Sequence, residues 1–164
     1  WQGGSGDITT GTTILDAFKS AVSDSNSIRY SKNADNLLGS DIIVVAIGEK
    51  PYTEGVGDRD SLLLSKEDRE LLEKVKRVKI PYIVILISGR PMIINEELDN
   101  SHAFIAAWLP GTEGAGISDV LFGDYDFTGK LSMTWPKSMS QIPINFGDND
   151  YDPLFKFGFG LSYK

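Results

Sequence analysis

A chain of 164 residues, 41% of them apolar, fits a single domain by the usual span of about 100 to 200 residues and carries enough apolar material for a core. Its formal charge of −7, from 16 Lys and Arg against 23 Asp and Glu, would repel phosphate backbones and argues against nucleic acid as a partner. No apolar run approaches the roughly 18 to 20 residues that cross a bilayer, and the lack of cysteine removes disulfides, thiolate metal sites and a cysteine nucleophile while leaving the compartment open.

Beginning at Trp1-Gln2-Gly3 rather than at a methionine, the sequence reads as a fragment of a longer chain. Residues 12–22 place Ile14, Leu15, Phe18, Ala21 and Val22 on one helical face behind a Thr/Gly start suited to capping. After a Ser/Asn/Asp turn, Ile28-Arg29-Tyr30 is expected to form a short strand. From Asp41 to Ile47 the apolar run is continuous rather than alternating, the pattern of a strand covered on both faces. Gly48 to Asp58 then leaves that strand as a loop with acids, an aromatic ring and glycines. Ser65-Lys66-Glu67-Asp68 opens a capped helix with Leu71, Leu72 and Val75 inward, and Pro81 to Ile87 is the next apolar strand, completing a βαβ unit. Ala103 to Leu109 is a third strand, and Thr112 to Phe122 the helix after it. Leu131 to Trp135 alternates like an edge strand, and residues 141–164 form an irregular tail of the same domain.

The three strands end in Gly48 to Asp58, Ser88-Gly89-Arg90-Pro91 and Pro110 to Gly114, and ligands of open α/β sheets bind beyond such carboxyl ends. Among these loops Glu54 is the candidate acid. Pro51 and Tyr52 are expected to limit its hydration, glycines 55 and 57 let backbone approach a substrate, and a partly desolvated carboxyl suits general acid work. The plainer alternative is a solvated loop glutamate. Glu49 could simply pair with Lys50, and Asp58 could cap or orient the loop. His102 stands at the opposite edge of the sheet, so a structural role is expected for it rather than Ser-His-Asp chemistry. Gly111 to Gly116 has the wrong glycine spacing, and an acid at 113, for a phosphate loop; Asp148 to Asp152 lacks the glycine and distant glutamate of an EF-hand.

Several of these stretches are also motifs: Pro51-Tyr52-Thr53-Glu54 within the loop to Asp58, Leu86 to Pro91, Ala106 to Gly114, Leu121 to Tyr125, Gly129-Lys130-Leu131 with Trp135-Pro136, and Phe157 to Leu161. In this order they resemble the second domain of glycoside hydrolase family 3 over nearly the whole chain. The resemblance implies a β-glucosidase or exo-β-glucanase acting on β-glucosides or β-glucan oligosaccharides by a retaining mechanism without a cofactor. It maps the general acid/base to Glu54 and leaves the nucleophile on an N-terminal barrel domain of the same enzyme. It gives sugar contacts to Trp1, with Tyr52 on the Glu54 loop a second candidate, and places Arg90 and Glu113 at motif positions where bridging or capping beneath the rim is expected. Trp108 is expected in the core. The whole of 1–164 is thus expected to be a three-layer α/β sandwich, with helices on both faces of a mostly parallel sheet of about six strands and one antiparallel edge strand. An extracellular or periplasmic setting is expected ahead of a cytoplasmic one. A non-catalytic carbohydrate-binding or scaffold module is the rival reading, and a flavodoxin-like regulatory domain a weaker third.

Overall fold

Three parallel strands, in the order β1 (Ile43–Gly48), β2 (Tyr82–Ile87) and β3 (Ala103–Trp108), form the sheet of the computed structural model, which describes Gly6 and residues 8–163. The register runs from Ile43 opposite Tyr82 to Gly48 opposite Ile87, and from Ile83 opposite Ala103 onward. Side chains alternate across it. Ile43, Val45, Ile47, Tyr82, Val84 and Leu86 join one apolar cluster, whereas Val44, Ile85, Ile87 and Ile105 join another on the opposite face. The continuous apolar runs of the sequence are the outcome of filling both faces.

Helices α1 (Ile14–Ala21) and α4 (Gly114–Phe122) cover the smaller cluster, with Phe18 meeting Phe122 edge-on at 5.5 Å. On the other face α2 (Lys66–Arg77) supplies Leu72 and Val75, and the chain beyond residue 130 supplies Trp135 together with Leu131, Leu154 and Phe155. Helices therefore lie on both faces, as expected. A short helix α3 (Asn95–Asn100) lies between β2 and β3 in the chain and buries none of its residues, so it leaves little apolar signal in the sequence.

The caps of α1 and α2 follow their residue types. Thr13 accepts the Asp16 amide at 3.1 Å at the head of α1, and Ser65 accepts the Asp68 amide at 3.0 Å at the head of α2. In α2, Glu67 and Asp68 stand in the first turn and Lys74, Lys76 and Arg77 in the last, the arrangement that matches the helix dipole. Ser65→Ala is expected to cost about 1 kcal/mol in urea unfolding, and an unchanged midpoint would mean the cap is redundant.

Two predicted strands do not form. Ile28 to Tyr30 follows a 3-10 turn at Ser25–Ser27 without pairing; Tyr30 is exposed, and Arg29 instead reaches back to the Leu38 carbonyl and the Ser40 hydroxyl. Leu131 to Trp135 pairs at its ends only. Leu131 exchanges backbone bonds with Phe159 and Gly158, Trp135 with Phe155 and Leu154, and only the Trp135–Phe155 contact counts as an antiparallel bridge. Pro136 then removes the next donor. The sheet accordingly has three parallel strands among the described residues rather than about six, and no antiparallel edge strand joins it there; the Trp135–Phe155 bridge stands apart from the sheet.

Candidate active site at the strand ends

Parallel pairing brings the ends of β1, β2 and β3 to one side, with the loops 49–58, 88–91 and 109–113 along it. Gly48 sets how closely the first two approach. A Cβ there would lie 1.9 Å from the Ile87 carbonyl oxygen, so only glycine fits, and the next amide, of Glu49, donates to that same oxygen at 3.0 Å. The loop thus leaves β1 already fastened to β2.

Glu49 then turns inward. Its side chain is 2% exposed, and Arg90 donates to its Oε1 from both Nε (3.1 Å) and Nη2 (3.0 Å). Arg59, just past the loop, bonds the same oxygen through Nη2. Two guanidiniums on a buried carboxylate offset the desolvation that an isolated charge would suffer. Glu49 therefore does not pair with Lys50, which is exposed. Arg90 performs the bridging expected of it, and its own turn is held by Ser88, a buried residue whose hydroxyl donates to the Arg90 carbonyl at 2.8 Å.

Tyr52 is half-buried, with the Arg90 guanidinium 4.4 Å from its ring centroid and Gly57 and Gly89 pressed against it. A Cβ on Gly57 would come within 2.3 Å of the ring. Burial, then the neighbouring Glu49 charge, push the Tyr52 hydroxyl above its ordinary value, with Arg90 opposing. It therefore stays protonated at neutral pH.

Glu54 heads a 3-10 turn, Glu54–Gly57, at φ 37, a left-handed backbone that glycine adopts far more readily than glutamate. It is exposed, as is Pro51, so the expected shielding is not built into this loop. Loop residues before the turn project outward while Tyr52 packs inward, which is why neighbours in sequence do not dehydrate Glu54. Asp58 closes the turn by donating its amide to the Gly55 carbonyl.

The remaining candidates separate from this cluster. Glu113 heads α4 without a capping bond from its side chain, and accepts from the neighbouring Thr112 hydroxyl at 3.0 Å. Trp108 is half-buried rather than fully in the core, tilted against Trp135 at 5.8 Å, with φ 52 at a register shift that turns β3 into its loop. His102 accepts the Tyr82 amide at the opposite end of the sheet. Asp152 pairs with Lys137, and the described residues hold no acidic group arranged for a metal. Trp1 lies outside the described residues. An open cleft of about 500 Å³ between α1, Ile87, Leu109 and Pro110 is lined chiefly by apolar atoms and has no carboxylate in its lining.

Sequence reasoning singled out Glu54 but missed the Glu49–Arg59–Arg90 cluster. An acid and an arginine bracketing the loop were the available signal; bridging was expected of Arg90 from its motif position, but nothing local pointed to Glu49, 41 residues away, as its partner.

The sequence matches the profile of the glycosyl hydrolase family 3 C-terminal domain over residues 1–163. A beta-xylosidase of Formosa agariphila is 32% identical over 92% of this chain and 25% of its own length, and a periplasmic beta-glucosidase of Salmonella typhimurium is 31% identical over 76% and 19%. Among solved structures, an exo-1,3/1,4-beta-glucanase from a Pseudoalteromonas species superposes with a TM-score of 0.89 at 41% identity, covering 100% of this chain and 22% of that one. The chain spans about a fifth to a quarter of the length of these relatives.

Proposed function

The chain belongs to the family of glycosyl hydrolase family 3 C-terminal domains, and from that premise we propose that it supplies Glu54 as general acid/base to a retaining β-glucosidase whose nucleophile stands on a separate barrel domain of the same enzyme. The observation that carries this reading is the placement of Glu54: an exposed carboxylate in a strained backbone, beyond the end of a parallel strand, on a loop tied down on both sides. Relatives named as beta-glucosidase and exo-beta-glucanase support terminal β-glucosyl residues as the substrate class.

In a retaining mechanism the acid protonates the leaving oxygen while the nucleophile attacks the anomeric carbon, and the same residue then deprotonates the water that releases the sugar. The two carboxyls stand roughly 5 to 5.5 Å apart, so the rim bearing Glu54 docks against the mouth of the barrel. Because Glu54 is open to water here, we assign its desolvation to that docking and to the bound sugar. Trp1 and Tyr52 remain proposed sugar contacts, Tyr52 only through whatever ring edge Arg90 and Gly57 leave open. An extracellular or periplasmic setting draws support from the periplasmic Salmonella relative.

The rival, a non-catalytic binding module, predicts affinity in the isolated chain. Calorimetric titration of that chain with glucan oligosaccharides is expected to give no binding until the barrel is added. Binding without the barrel would favour the module.

A further inference from the structure

Resting on the reading of Glu54 as the general acid, we propose that Glu49 is its positioning residue, acting through the two arginines it gathers. Glu54 lies midway along the chain between Glu49 and Arg59, and the ion pair between those two closes the loop on which it stands. Arg90 brings in the next strand end and lays its guanidinium on Tyr52, which in turn packs against Gly57 at the far side of the Glu54 turn. The chain beyond Arg59 is also fixed: the Ile93 amide donates to the Leu62 carbonyl at 2.9 Å, and Leu63 bridges to Ile93. By contrast Lys50, Pro51, Thr53, Glu54, Gly55 and Val56 are all exposed. Few apolar contacts hold such a segment, and a left-handed glutamate persists only where its surroundings over-determine the backbone. The buried carboxylate is what supplies that constraint. Without its charge, two neighbouring guanidiniums repel each other and the loop loses its closing contact.

An acid must come within hydrogen-bond reach of the leaving oxygen, and a displacement of about 1 Å costs on the order of 10²-fold in rate. The test uses the full-length enzyme and compares Glu49→Gln, Glu54→Gln and the double variant on alkyl glucosides, which need protonation, and on activated aryl glucosides, which do not. Glu49→Gln is expected to lower kcat on the alkyl substrate by about 10²-fold and on the activated one by only a few-fold. On the Glu54→Gln background the same change is expected to have no further effect on the alkyl substrate, a non-additivity that a purely structural role would not produce. Glu49→Asp, which keeps the charge, is expected to recover part of the loss. Should Glu49→Gln not fold, Arg59→Gln breaks the loop-closing pair at a 40% exposed side chain and is expected to show the same substrate bias. Equal losses on both substrates, or losses that multiply in the double variant, would overturn the proposal while leaving Glu54 as the acid. Equal losses for Glu54→Gln alone would instead remove the acid reading itself.

Discussion

Glu54→Gln in the full-length enzyme is expected to lower turnover of substrates with poor leaving groups by roughly 10²- to 10⁴-fold, the usual contribution of a positioned general acid. Glutamine keeps the shape and can offer a hydrogen bond, but it cannot transfer a proton at neutral pH. Substrates whose leaving groups depart as stable anions bypass that need, so their first step is expected to change little. Their overall rate then falls only if deglycosylation, which uses the same residue as base, becomes limiting, and a pre-steady-state burst of aglycone would report that change. A uniform loss across leaving groups, with no burst, would show that Glu54 orients the loop or the sugar rather than moving a proton. Its exposed place at the strand ends makes either role sterically open; leaving-group dependence separates them.

Trp135→Ala is expected to cost about 3 to 5 kcal/mol in urea unfolding, since it empties a large buried site. Trp135 is 2% exposed, donates its indole N–H to the Met92 carbonyl at 2.7 Å, and meets Trp108 and Phe155 with ring centroids 5.8 and 6.3 Å away. Alanine also strands the Met92 carbonyl, which adds about 1 to 3 kcal/mol where water cannot reach it. Trp135→Phe, which fills most of the volume but drops the bond, is expected to fall between. A loss under about 1 kcal/mol for the alanine variant would mean that the chain beyond residue 130 folds back without Trp135 as its pin.

The layered α/β architecture was legible because its signal is local. Continuous apolar runs mark β1, β2 and β3, and Ser65 announces α2 three residues before the Asp68 amide it caps. Glu54 was legible in position, since it follows directly from a loop that leaves a buried strand. What stayed hidden depends on chain partners far apart in sequence. Leu131 to Trp135 has the composition of a strand, but whether a full ladder forms is decided by where Phe155 and Phe159 return, and they meet it at two points only. Glu49 reads as a surface acid beside Lys50 until Arg90 is known to lie over it. The expected dehydration of Glu54 failed for a related reason: Tyr52 packs against Arg90 and Gly57, and Glu54 stays exposed.

The left-handed backbone at Glu54 also bears on how this loop responds to selection. Relieving φ 37 with glycine removes strain on the order of 1 to 3 kcal/mol. A screen of variants for thermal endurance alone would therefore enrich Gly or Asn at position 54 and silently discard the proposed acid, as happens where stability and activity trade off. Libraries meant to toughen this domain should hold position 54 fixed and score turnover alongside melting temperature.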